Sequence, residues 1–382
     1  MSTSNNLSKT ASSYLLPLDG VRTVALLMVV ASHFGLGHII PGGVGLNSFF
    51  FISGFLITRL LIAEHNRTGT INLKNFYIRR FLRLYPALLF MLLVSVVFIW
   101  AIGCTIHPQE ILSSLFYYRN YFMIYMRPIQ NLDCTLLLDI QWSLAIEEHF
   151  YIVFPLLFVL LFRFRTLFLI VLTGGIVGIL AWRLYLMMTY GPTELTIYTI
   201  YHLTETRADA IMYGCLVGLL VHGPAASTFI RKVNHPVSIT IAIALMIISL
   251  VYRDQAFRET FRYSFQGIGF SILIPVLLYN PHLDRLRQLS STPWLLTVAQ
   301  LSYSIYLFHW IGISIARYIT GSEQITFQYL MIAIPSGLTL SLISYYGIEK
   351  RILKFRKQYG ANLKPDTATT PQPTLNSQPI SG

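Results

Sequence analysis

The chain has 382 residues, of which 54% are hydrophobic and only 12% are charged, and its mean hydropathy is +0.58. This composition excludes an ordinary soluble globular domain and indicates a protein that crosses a membrane several times. No stretch shows the alternating pattern of a transmembrane strand, so the backbone N–H and C=O groups must form their hydrogen bonds within helices. We therefore predict an all-α membrane protein.

Ten apolar stretches are long enough, or nearly so, to cross the hydrocarbon as helices of about 20 residues. The bundle of about ten helices is expected to fill 18–351 as one domain, between a polar tail at 1–17 and a basic, then Thr- and Pro-rich tail at 352–382. The predicted spans are 18–38, 42–62, 84–103, 142–162, 166–188, 207–222, 237–252, 264–280, 296–319 and 326–348.

The net charge of +12 is mostly explained by Lys and Arg residues between the spans. With both termini in the cytoplasm, 20 of the 28 Lys and Arg residues lie on the cytoplasmic side and 5 on the outer side, as the positive-inside rule requires. We therefore expect cytoplasmic termini and no nucleic-acid partner. Cys104 and Cys134 fall on one predicted outer loop, where a disulfide and two unpaired thiols fit the sequence equally well.

The first span, LDGVRTVALLMVVASHF at 18–34, carries Asp19, Arg22 and His33. Ionisable residues inside spans are costly and usually face a protein interior or a water-filled cavity. Arg22 and His33 are 11 residues apart, which is about three turns and roughly 16 Å along one helix face. They therefore share a stripe at two depths, with Arg22 nearer the cytoplasm.

Two further groups of charged residues match these depths. The segment FYIRRFLRLYP places three arginines near the cytoplasm, and arginines suit a ligand with several phosphates. The segment QWSLAIEEHFY places Glu147 and Glu148 near the outside. Counted from the span ends, His33 and Glu147 both lie roughly 7–8 Å below the outer boundary, so we expect them to meet. A carboxylate on one imidazole nitrogen would prepare the other nitrogen to act as a general base.

Simpler interpretations stay open for each group. The arginines of 79–83 would also serve as plain positive-inside membrane anchors. One of the two glutamates could pair with Arg207. Ser302, Tyr306 and His309 could form a polar seam between helices. A relay of His33 and the two glutamates would also serve a proton-coupled transporter. Such transporters often have two related halves, and the sequence shows no matching pair of interrupted spans.

Seven motifs, taken in order, resemble those of the acyltransferase-3 family of integral-membrane acyltransferases. They cover about 18 to 351, and they are LDGVRTVALLMVVASHF, FFFISGFLIT, FYIRRFLRLYPAL, WSLAIEEHFYIVFPLL, RADAIMYGCLVG, LSYSIYLFHW and IEKR. The resemblance implies transfer of an acyl group, most often acetyl from acetyl-CoA, to a hydroxyl of a carbohydrate or glycolipid such as lipopolysaccharide O-antigen or exopolysaccharide. A macrolide-type acceptor is the alternative. The resemblance is to the stand-alone class without an SGNH-type domain, in a bacterial inner membrane.

The resemblance also implies roles for individual residues, with acyl-CoA, the acceptor and membrane lipids as partners and no metal. The sequence departs from the family pattern at His149, where Gln is common, and at Val21 and Thr23, which flank Arg22. The expected catalytic residues are His33, Arg22, Glu147 and Glu148. The expected donor-binding residues are Arg79, Arg80 and Arg83. The expected acceptor-binding residues are Trp142, Arg207, Asp209 and His309.

Overall fold

The computed structural model describes residues 16–127 and 137–359. Within these ranges the chain is helical and contains no strand, which confirms the predicted all-α class. Each of the ten predicted spans coincides with a helix. The helices of eight or more residues are α1 (Leu16–His33), α2 (Gly42–Thr68), α3 (Leu73–Ala101), α4 (Pro108–Leu115), α5 (Gln141–Leu161), α6 (Arg165–Tyr190), α7 (Glu194–His202), α8 (Asp209–Val221), α9 (Ala226–Val233), α10 (Pro236–Val251), α11 (Phe261–Tyr279), α12 (Pro293–Thr320) and α13 (Phe327–Leu342).

Seven helical stretches of the described chain are long and apolar enough to cross a membrane. The number rises to eight if α8 and α9, which are bent by 120° at their junction, form one span. The helix α10 is apolar but has only 16 residues. The helix α12 has 28 residues but is less apolar, because it presents polar side chains such as Ser302, Ser304 and His309 to the protein interior. Composition alone therefore undercounts the helices that build the bundle.

Glycines allow a close helix contact between α2 and α8. A Cβ atom on Gly54 would lie 2.0 Å from the carbonyl oxygen of Ile211, and one on Gly214 would lie 1.9 Å from that of Phe51. Small residues of this kind let membrane helices approach backbone to backbone. The contact fixes α2, which carries residues of the candidate site, against α8.

Between α3 and α5, the described residues that follow α4 lie against α3. The Tyr85 hydroxyl donates to the carbonyl of Leu115, at the end of α4, over 2.9 Å. Beyond it, Tyr117 is buried against Leu88 of α3 and Ala145 of α5. These residues therefore reach the first half of α5, which carries Glu147 and Glu148.

Three predictions fall on parts of the chain outside the described residues. Residues 1–15 and 360–382 include both termini, so the cytoplasmic placement of the termini and the bounds of the two tails stay predictions. Cys134, which the sequence places on one predicted loop with Cys104, also lies outside the described residues.

Candidate active site

A charged cluster lies between α1, α3 and α5 and consists of Asp19, Arg22, Arg80, Glu147 and Glu148. Arg80 donates from Nε to both carboxylate oxygens of Glu148, at 2.8 and 2.9 Å, and its Nη2 lies 3.9 Å from Glu147 Oε2. Arg22 contacts Asp19 at 3.4 Å and is within electrostatic range of Glu147. These side chains keep 12 to 19% of their surface exposed. The charged cluster is therefore only partly buried.

One face of α5 holds Arg80 in place. The Arg80 guanidinium carbon lies 3.2 Å from the centroid of the Tyr151 ring, a cation–π contact. Tyr151 is three residues after Glu148, so both lie on the same side of the helix. Its hydroxyl makes a hydrogen bond with Ser53 of α2. Arg80 is thus fixed by a carboxylate and an aromatic ring that one helix supplies.

His33 and His309 form a second polar group, which we call the histidine pair. His33 Nδ1 lies 2.9 Å from His309 Nε2, and the ring planes are within 5° of parallel. Trp310 packs edge-on against the His33 ring at a centroid distance of 5.4 Å. Because His309 is buried and bonded to His33, it serves as the partner of the candidate base. The acceptor contact predicted for His309 does not fit this placement.

The partners of the histidine pair assign the tautomer of each ring. His309 Nδ1 lies 3.1 Å from the carbonyl oxygen of Ile305, and a carbonyl only accepts hydrogen bonds. His309 Nδ1 must therefore carry a proton, and in the neutral ring its Nε2 accepts. It follows that His33 Nδ1 donates to His309, which leaves Nε2 of neutral His33 unprotonated. This nitrogen can therefore accept a proton, and it is the candidate general base.

The charged cluster and the histidine pair lie along one helix interface, because α1 runs parallel to α12. Arg22 Nη2 lies 3.4 Å from the Ser302 hydroxyl, while His33 contacts His309. The two contacts on α12 are seven residues apart, which is about two turns or roughly 10 Å. Arg22 and His33 thus lie on one stripe at two levels, as their spacing predicts.

The two glutamates do not meet His33, contrary to our prediction. In the described part of the chain, no hydrogen bond or ion pair joins His33 to Glu147 or Glu148, and both carboxylates face Arg80 instead. The prediction assumed that all spans end at one level. However, the first residue of α5, Gln141, contacts Met91, ten residues before the end of α3. The carboxylates therefore lie deeper in the bundle than a count from the span end suggests.

The three arginines predicted to bind donor phosphates face three different carboxylates. Arg79 donates to Glu64 over 2.8 Å, Arg80 belongs to the charged cluster, and Arg83 interacts electrostatically with buried Glu349. Successive helix positions point in different directions, so these arginines do not form the single group of uncompensated cations that the sequence suggests.

Two predicted acceptor residues, Arg207 and Trp142, lie together in an aromatic cage. The Arg207 guanidinium carbon lies 4.2 Å from the ring centroid of Tyr263, 5.0 Å from that of Tyr201 and 5.9 Å from that of Trp142. Arg207 also donates to the side-chain oxygen of Asn47 over 2.6 Å. It does not pair with either glutamate of α5 as one interpretation suggested.

Asp209 forms a buried ion pair that joins α8 to α6. Its carboxylate accepts from Arg183 of α6 over 2.7 Å, and neither side chain is open to solvent. Arg183 also donates to the carbonyl of Thr206 over 2.7 Å. Because this pair is closed within the core, the acceptor contact predicted for Asp209 does not fit the geometry.

A link between α5 and α12 was missed by sequence reasoning. The hydroxyls of Ser143 and Tyr306 are 2.5 Å apart, and the Tyr306 ring lies 5.8 Å from the His309 ring. Tyr306 was assigned only to a polar seam. Its position three residues before His309, on the same helix face, is the signal that could have joined it to the histidine pair.

A further charged group joins described residues between α3 and α5, and we call it the loop clamp. Arg119 is fully buried and donates to Glu110 over 2.6 Å and to Asp139 over 2.8 Å. Arg127 donates to Asp139 over 2.6 Å. Burial alone would raise the pKa of Asp139, but hydrogen bonds and charges from Arg127 and Arg119 lower it below its usual value. These residues follow no helical period in the sequence, so no pattern predicted the clamp.

Comparison with known proteins places the chain in a family. A family model described as an acyltransferase domain matches residues 16–346. The O-acetyltransferase OatA of Staphylococcus aureus strain NCTC 8325 is 31% identical over 357 residues, which cover 89% of this chain and 57% of the relative. A putative O-acetyltransferase of S. aureus strain COL is 28% identical over 365 residues, which cover 90% and 58%.

The chain thus spans little more than half the length of these curated relatives. No solved structure matches it. Among the described residues, no group of three or more His, Cys, Asp or Glu side chains is placed to hold a metal ion. The matched region contains both the charged cluster and the histidine pair. The chain therefore belongs to the acyltransferase-3 family of integral-membrane acyltransferases.

Proposed function

We propose that this chain is an O-acyltransferase that moves an acetyl group from acetyl-CoA to a hydroxyl of a carbohydrate or glycolipid. The family match and the relatives named O-acetyltransferases support this reaction. The single observation that carries the mechanism is the histidine pair. A hydroxyl needs a base to become a good nucleophile, and His33 Nε2 is an unprotonated nitrogen in a fixed tautomer.

The reaction follows from this tautomer. His33 Nε2 takes the proton of the acceptor hydroxyl while the hydroxyl oxygen attacks the thioester carbonyl carbon. The new C–O bond forms, the C–S bond breaks, and the CoA thiolate leaves and takes the proton back from His33 Nε2. During attack His33 carries a positive charge, and its Nδ1–H bond to His309 strengthens because the donor is then charged. His309 thus stabilises the imidazolium without needing a carboxylate.

Arg22 is the cation best placed to meet the acyl donor. Its two contacts, with Asp19 and Ser302, are both 3.4 Å long, whereas Arg80 donates to Glu148 over 2.8 and 2.9 Å. A weakly held guanidinium exchanges its partners for a phosphate or carbonyl oxygen at low cost. We propose that the donor approaches along the charged cluster, past Arg79 and Arg83, from the predicted cytoplasmic side.

The acceptor is proposed to approach from the opposite side, towards the outer end of α1. Arg207 is fully buried and positions the rings of Trp142 and Tyr201, and the flat apolar faces of these two rings suit a sugar. Cell-surface polysaccharides such as O-antigen or exopolysaccharide are acceptors of this chemistry. The proposed setting is a bacterial inner membrane.

The test is acetyl transfer by purified protein in lipid nanodiscs. The donor is radiolabelled acetyl-CoA, and the acceptor is non-acetylated surface polysaccharide from a host strain that lacks the gene. We expect the wild type to release the CoA thiol and to label the polysaccharide. His33→Ala should reduce the rate by about 10²- to 10⁴-fold, the usual contribution of a general base.

His38→Ala is the matched control, because His38 is exposed and bonds only to the carbonyl of Gly35 among its described contacts. It should keep the wild-type rate. Wild-type transfer by His33→Ala at equal protein level would refute the mechanism. A wild type that neither releases thiol nor labels polysaccharide would refute the proposed function, and it is the result that a transporter would give.

A further inference from the structure

One strained residue lies beside the charged cluster. Tyr117 has a φ of +54° and is the one non-glycine residue with positive φ in the described ranges. This left-handed conformation suits glycine and is an outlier for a bulky side chain. Such strain persists only where the surroundings impose it, and it is concentrated at functional sites.

The surroundings of Tyr117 explain how the strain is imposed. The side chain is only 6% exposed, and its ring lies 5.7 Å from the Tyr85 ring. The preceding turn is tied to α3 through the carbonyl of Leu115. The Tyr117 side chain lies within electrostatic range of Glu148 and Arg80. The sharp bend at Tyr117 therefore delivers a phenol to the charged cluster from a segment outside the main helices.

The Tyr117 hydroxyl is poorly satisfied there. It is buried and makes no hydrogen bond of good geometry with any described residue, although it faces the hydroxyl of Tyr303. Tyr303 itself donates to the carbonyl of Leu84 over 3.1 Å. A buried hydroxyl whose one polar contact has poor geometry opposes folding. Phenylalanine would fill the same space without this penalty, so packing does not account for a tyrosine here.

We propose that the Tyr117 hydroxyl binds an oxygen atom of the substrate at the charged cluster. The inference rests on the proposed function, since it takes the charged cluster as part of the substrate site. The phenol supplies one hydrogen-bond donor to a carbonyl or hydroxyl oxygen. That oxygen belongs either to the acyl donor, in its thioester or pantetheine arm, or to the sugar acceptor.

The test is Tyr117→Phe, which removes one oxygen atom and keeps the ring. We expect the thermal midpoint Tm of the purified protein to stay equal or to rise, because the substitution removes only the contact of poor geometry with Tyr303. We expect kcat/KM for acetyl transfer to fall about tenfold, the scale of one lost substrate hydrogen bond. A higher KM for acetyl-CoA would assign the oxygen to the donor, and a higher KM for the polysaccharide would assign it to the acceptor.

Tyr185→Phe is the matched control, since Tyr185 lies on α6 and is 51% exposed. It should leave Tm and both KM values unchanged. Wild-type kinetics in Tyr117→Phe would overturn the inference while the proposed function stands. A drop in Tm together with activity would also overturn it, because the hydroxyl would then have a structural partner. A wild type without any acetyl transfer would refute the proposed function and this inference with it.

Discussion

Removing the partner of the candidate base gives the most informative prediction. In His309→Phe, the ring volume is nearly kept, but His33 Nδ1 loses its acceptor. A hydrogen bond to a group that becomes charged contributes about 1.5–3 kcal/mol, and each 1.36 kcal/mol corresponds to a tenfold change in rate. We therefore expect kcat to fall by about 10- to 150-fold, less than in His33→Ala.

The assay is acetyl transfer in nanodiscs with Tm measured on the same samples. His309→Gln is the matched variant, because an amide oxygen can accept from His33 while the amide nitrogen donates to Ile305. It should recover much of the lost rate. If His309→Phe keeps the wild-type kcat with an unchanged Tm, the tautomer argument is wrong. If His309→Gln is as slow as His309→Phe, the pair acts through something other than this hydrogen bond.

Three further predictions concern stability. Because its partners lower the pKa of Asp139, the carboxylate stabilises the folded protein above the ordinary Asp pKa of about 3.9, and this stabilisation is lost as the pH falls below that value. The Tm of the wild type should therefore drop on such acidification. The Tm of Asp139→Asn should be lower at neutral pH and should drop less. Asp209→Asn should cost about 3–5 kcal/mol, since it leaves Arg183 buried without its counter-charge; equal stability in denaturant titrations would contradict this. Gly214→Ala should lower Tm, because its Cβ would lie 1.9 Å from a backbone oxygen of α2, whereas Gly174→Ala, with no atom within 4 Å, should not.

The positions of the helices follow from the sequence because a membrane imposes a simple rule. Apolar runs of about 20 residues must be helical in hydrocarbon, so all ten predicted spans coincide with helices. Arg22 and His33 are 11 residues apart, which places both on one face of α1. This spacing explains in part why α1 contacts α12 at two levels.

The partners of the charged residues could not be predicted in this way. They depend on how far each helix is shifted along its axis relative to its neighbours, and hydropathy does not encode that shift. The contact of Gln141 with Met91 shows the shift of α5 that brings Glu148 to Arg80 rather than to His33. The sequence suggested for Asp19 only that it neutralises or orients Arg22, and its 3.4 Å contact with Arg22 is that of a counter-charge.

The loop clamp and Tyr117 were unpredictable for a different reason. The sequence between α3 and α5 has no long periodic run, and the structure of its described residues depends on contacts with distant helices. A tyrosine at φ +54° is also contrary to local preference, so propensity would place the bend elsewhere. Such conflicts between local preference and fold are expected at functional sites.

The most direct test of the central claim is the location of the acyl donor relative to His33. A cryo-electron microscopy structure of the protein with a thioether analogue of acetyl-CoA would show it. An acceptor oxygen needs to sit about 3 Å from the base and about 3–3.5 Å from the reacting carbon. We predict that the carbon replacing the thioester carbonyl lies within about 6 Å of His33 Nε2, on the side of the ring away from His309. A carbon bound clearly farther away, with His33 Nε2 turned from it, would contradict the account.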